Sequence, residues 1–108
     1  MTNYLSTDDF LLGIQGGETD VELDGIGTIR IRSLTTAEVQ GMNTSAKGDE
    51  MHLSILAILT AMVQPRLTQE HLTMLETAKP GIVAILARRV MELSGMGGDF
   101  EKKVGTGS

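Results

Sequence analysis

No aromatic residue lies between Phe10 and Phe100, and Tyr4 is the only other one in the chain. Whatever core the intervening residues build must therefore be aliphatic, made of Ile, Leu, Val, Ala and Met packed by shape. With 108 residues there is room for one such core, because a single domain typically occupies ~100–200 residues and a chain of this size buries roughly two-thirds of its unfolded surface. A deep enclosed active site does not fit beside it. The seven methionines admit two uses. Their unbranched, polarizable side chains fill irregular gaps in a helical core, and they also suit a surface that adapts to a partner.

Several function classes drop out on residue type alone. The absence of Cys removes disulfides, thiol catalysis and Cys-based zinc or iron–sulfur sites. His52 and His71 stand far apart with no carboxylate at metal-ligand spacing from both, so capping or solvation is the simpler role for each. The glycine stretches at Gly13–Gly17 and Gly95–Gly98 lack the Lys-Ser/Thr ending of a phosphate loop. Asp8-Asp9 and Asp49-Glu50 stand at helix starts, where the helix dipole accounts for them without acid–base chemistry. No Ser sits in a nucleophile-elbow context. The chain therefore reads as a non-enzymatic interaction module, with no catalytic, cofactor-binding or metal-binding residue.

Charge points the same way. Fourteen acids against nine bases leave a net charge of −5, which disfavours a nucleic-acid partner, since phosphate neutralisation needs clustered Lys and Arg. Arg88-Arg89 beyond Lys79-Pro80-Gly81 give the outline of a helix-turn-helix. However, the second helix offers no base or amide in its first turn, and Glu76 and Glu92 dilute the field. Residues 1–24 hold six acids (Asp8, Asp9, Glu18, Asp20, Glu22, Asp24) and no Lys or Arg. That pattern is a solvated face or a field that steers a basic partner. The first residues lack the basic and apolar blocks of a signal peptide. The longest nearly continuous apolar stretch, Leu53 to Val63, would cover only ~16 Å as a helix, about half the hydrocarbon thickness of a bilayer. A buried helix, no membrane association and a cytoplasmic location are the expectation.

Periodicity predicts a mainly α fold with a small N-terminal β-hairpin, an α+β arrangement with a bundle of about four helices. Ser6 or Thr7 caps a short opening turn carrying Phe10, Leu11, Leu12 and Ile14. Residues about 19–33 alternate around Asp24-Gly25-Ile26-Gly27, a hairpin signal because Gly and Asp tolerate the positive φ of tight turns. Val21, Leu23, Ile29 and Ile31 share the buried face, with Arg30 and Arg32 opposite Glu22 and Asp20. Helices follow over about 35–43, 49–64, 68–78 and 80–94. The first opens on the capping box Thr35-Thr36-Ala37-Glu38. The second is apolar nearly all round and is stopped by Pro65. The third has Leu67 and Leu72 at the spacing of a hydrophobic staple. The fourth starts on Pro80 and is capped by Gly95. One domain spans 1–98, and 99–108 reads as a flexible tail whose Gly105-Thr106-Gly107-Ser108 has the composition of a cloning remnant.

The order of these pieces resembles the tail assembly chaperones of long-tailed bacteriophages. The resemblance runs from about Asp20 to Met96. It rests on the hairpin Val21-Glu22-Leu23-Asp24-Gly25-Ile26-Gly27-Thr28-Ile29-Arg30-Ile31-Arg32, on Ser33-Leu34-Thr35-Thr36-Ala37-Glu38, on the cap Pro65-Arg66-Leu67-Thr68-Gln69-Glu70, and on Leu93-Ser94-Gly95-Met96. The family has no catalytic residues to carry over. The resemblance implies a small acidic protein that binds the tape measure protein and keeps it soluble while the tail tube polymerises around it. It further implies a short product of a ribosomal frameshift gene, with Lys102-Lys103 compatible with a slippery codon pair. The longer product would recruit the tube protein. Such a protein works in the host cytoplasm and is absent from the mature virion. The alternative from another class is a head–tail connector or neck protein retained in the particle. The partner surface predicted on the later helices is Ile55, Leu59, Met62, Leu86, Val90 and Met91, in a helix-in-groove mode. Packing within one protomer and burial in a homo-oligomer compete for the same side chains.

Overall fold

The alternating runs meet where Gly25 (φ 77°) and Gly27 (φ 143°) supply the positive φ that closes the turn. In the computed structural model, which describes residues 3–96, they form β1 (Glu18–Leu23) and β2 (Gly27–Arg32). The expected tail over 99–108, with Lys102-Lys103, lies outside the described residues. The antiparallel register sets Val21 against Ile29, Thr19 against Ile31 and Asp20 against Arg30. Val21, Ile29 and Ile31 are buried on the inner face, and Leu23 packs partly against them. The wet face differs from expectation. Arg30 pairs with both Asp20 (3.1 Å) and Glu18 (3.4 Å), whereas Glu22 faces Thr28. Arg32 turns away from the hairpin to Glu38.

The helices begin where their caps predict, but only the last also ends where its sequence predicts, at Gly95. α1 (Thr7–Gly13) is capped by Ser6, whose Oγ accepts from the Asp9 amide at 3.1 Å. α2 (Thr36–Ala46) opens on the Thr35–Glu38 capping box and passes the expected end at Asn43. Thr44 is held in the helix by donating its hydroxyl to the Gln40 carbonyl (3.0 Å), Ala46 is buried, and the chain leaves through Lys47 in the left-handed region. α3 (Glu50–Ala61) is capped by Asp49 and stops before Met62, not at Gln64. Pro65 disfavours helical backbone at the residue before it and offers no amide to the Ala61 carbonyl. Met62–Gln64 instead extend as β3, which pairs antiparallel with β2.

The helix expected over 68–78 is a 3₁₀ turn (Gln69–His71) leading into α4 (Leu72–Glu76). The Thr68 amide donates to His71 Nδ1 at 2.9 Å, so this histidine serves the helix start. Leu67 and Leu72, at the staple spacing, both pack on the core. α5 (Pro80–Leu93) begins on Pro80 and ends before Gly95 at φ 75°.

Among the described residues the architecture is mixed α/β, with five α-helices and a three-stranded antiparallel sheet of order β1-β2-β3, rather than about four helices beside a lone hairpin. α3 packs against α5, α2 and α4, and α5 reaches β2. The core lies between the inner face of the sheet and this helical layer, where Ile31, Ile58 and Val90 are fully buried. Among the described residues no helix is long and apolar enough to cross a membrane.

Candidate interaction surface

The six residues expected to meet a partner do not form a free face. Ile55, Leu86 and Val90 are buried in the core, and Met62 and Met91 pack partly against it. Leu59 is half-buried at the wall of a shallow cleft of about 350 Å³ that also touches Glu18, Arg32, Met62 and Arg66. The reason lies in the layering. α3 is apolar nearly all round because α2, α4 and α5 cover it within the protomer, which is how such a helix is satisfied without a second chain. The side chains of α5 repeat at three and four, so Val83, Leu86, Ala87 and Val90 all point inward.

The exposed apolar side chains are concentrated in residues 4–14. Tyr4 is 90% exposed and Leu12 72%, and Leu5, Phe10, Leu11 and Ile14 are all exposed as well. No residue of α1 is buried. Elsewhere among the described residues only single large apolar residues are exposed, namely Ile26 at the hairpin turn and Met51, Met74 and Ile85 on separate helices. Scattered single residues are normal on a protein surface, whereas a contiguous patch rimmed by polar groups marks a contact site. A signal for this arm was present in the sequence. Phe10, Leu11, Leu12 and Ile14 cannot all share one face of a short helix, and two of the three aromatic residues, Tyr4 and Phe10, fall here instead of in the centre of the chain.

The arm is rooted in a built joint. Gly16 lies so close to Ser33 that a Cβ there would overlap the serine side chain, and the Ser33 amide donates to the Gly17 carbonyl at 2.9 Å. Residues Ile14–Glu18, Arg32–Thr36 and Leu93–Gly95 line an open cleft of about 650 Å³ at this point. Arg32 donates to both carboxylate oxygens of Glu38 (2.9 and 2.6 Å) and to the Ser33 carbonyl (3.0 Å). Glu38 also accepts from the Thr35 amide at 2.9 Å. This bonding, led by the fork to Arg32, holds the Glu38 carboxyl down at about 2 despite partial burial, and it raises Arg32 above its ordinary value. Ser94 Oγ accepts from the Leu34 amide (2.9 Å) and donates to the Val90 carbonyl (2.7 Å), tying the end of α5 to the same joint.

The joint positions the arm by hydrogen bonds that are internally satisfied. Among the described residues no buried polar side-chain atom lacks a partner, and no three His, Asp or Glu side chains gather as metal ligands. No protein-family model matches this chain, and neither does any curated protein or solved structure.

Proposed function

We propose that this protein is a phage tail assembly chaperone, in the short form, that binds the tape measure protein and keeps it soluble while the tail tube assembles. The observation that carries the reading is a closed aliphatic domain bearing one exposed apolar arm, residues 4–14. A holder of a long, partly apolar helical protein needs such a contact surface on a body that does not itself aggregate. The net charge of −5 supplies the second requirement. The order of the hairpin, capping box and helix starts between Asp20 and Met96 supports the family likeness. In this reading the contact surface moves from the later helices to the arm. The tube protein is engaged through the longer frameshifted product, the holder can act as a homo-oligomer, and it works in the host cytoplasm without entering the virion.

Co-expression with the adjacent gene for a long helical tail protein tests this. The chain should move that protein into the soluble fraction, and Phe10→Ser with Leu12→Ser should abolish the effect while the variant stays folded. Unchanged solubility with the intact chain overturns the reading. Finding the chain in purified particles favours the head–tail connector instead.

A further inference from the structure

The arm raises a question about what covers it. Its six large apolar residues are all exposed, from 47% at Leu11 to 90% at Tyr4. α1 has seven residues and buries none, and a helix this short does not hold itself together in water.

The charges around the arm select the kind of cover. Asp8 and Asp9 open α1, and no Lys or Arg occurs among residues 1–24. Arg30 takes up Glu18 and Asp20, while Asp8 and Asp9 have no ion-pair partner among the described residues. The arm of a second copy carries the same two acids and no Lys or Arg, so in an arm-to-arm contact neither carboxylate would meet an opposite charge. A helix with an aliphatic stripe flanked by Lys or Arg meets both features at once.

We propose that residues 4–14 dock a cationic amphipathic helix of the partner, with Phe10, Leu11 and Ile14, which share one face of α1, on its aliphatic stripe and Asp8 and Asp9, beyond the two edges of that face, against its flanking bases. This rests on the arm being the contact surface, as the proposed function holds, and adds the charge class of what it recognises. The arm orders as it binds, and selectivity comes from the two carboxylates.

Tyr4 is the only tyrosine and the chain has no tryptophan, so tyrosine fluorescence of the intact protein reports on the arm alone. The probes are synthetic helical peptides of about four turns, without aromatic residues, with Leu on one face and Lys, Gln or Glu on the other. At low salt the Lys peptide should bind at least ~10-fold more tightly than the Glu peptide, and the gap should close as salt rises. Asp8→Asn with Asp9→Asn should remove most of that gap, whereas the same change of charge through Glu22→Gln with Asp24→Asn should leave it. Phe10→Ser with Leu12→Ser should abolish binding of all three peptides.

Equal affinities for the three peptides, or a Lys preference that survives at Asp8 and Asp9, overturns the charge selectivity while leaving the arm as a contact surface. Binding that survives the Phe10 and Leu12 changes overturns both. Self-association in sedimentation that the same two changes dissolve shows that a second copy is the occupant, which also overturns the proposal.

Discussion

Glu38 is the residue on which the most local structure converges. It closes the capping box of α2, receives the Arg32 fork and thereby sets the exit of β2. Its carboxyl is held at about 2 against an ordinary 4.5. Above the ordinary value the group is ionised in both folded and unfolded chains, and the full contribution to stability is present. Between the two values only the unfolded chain takes up the proton, so the contribution is lost as pH falls towards about 2. Glu38→Gln keeps an acceptor for Thr35 but loses the charge. Because the pair is partly exposed, the loss should be about 1 kcal/mol at neutral pH and should vanish near pH 2, as measured by urea denaturation across that range. The capping role of Glu38 was legible in Thr35-Thr36-Ala37-Glu38, because a cap is a contact within one turn. Its pairing with Arg32 was not, because alternation assigned that arginine to the hairpin's own acids.

At the scale of elements, starts were readable and most ends were not, the end of α5 at Gly95 being the exception. Ser6, Thr35, Asp49 and Pro80 each mark a helix start through bonds or backbone preferences local to the first turn. The end of α3 depended on what Met62–Gln64 could do instead of continuing the helix. The answer was to complete a ladder with β2, some thirty positions earlier in the chain. Three residues carry no periodic signal, so that strand exists only through its distant partner. α5 is fixed at its far end in a comparable way by Ser94, which bonds the Leu34 amide. Ser94→Ala leaves that amide without its acceptor and should cost about 1–2 kcal/mol. Native-state hydrogen exchange should show the Leu34 amide losing protection; an unchanged rate would mean the joint is held without it.

Across the whole molecule, core and contact surface are separate, and their variants should separate too. Val90→Ala removes fully buried volume between α5 and the sheet layer and should cost about 2 kcal/mol or more in denaturant unfolding. Phe10→Ser with Leu12→Ser changes only exposed side chains, so stability should stay within about 0.5 kcal/mol even where binding is lost. By itself the sequence determined the aliphatic character of the core, the hairpin and its turn, the helix starts and the acidic first segment. Each of these follows from residue type or from spacing within a few positions. Only the tertiary structure decided which apolar side chains remain uncovered. Ile55, Leu86 and Val90 look like surface candidates until α2, α4, α5 and the sheet close over them, and residues 4–14 look like an ordinary capped turn until nothing does. Burial is a property of neighbours brought together from distant parts of the chain, and periodicity cannot count them.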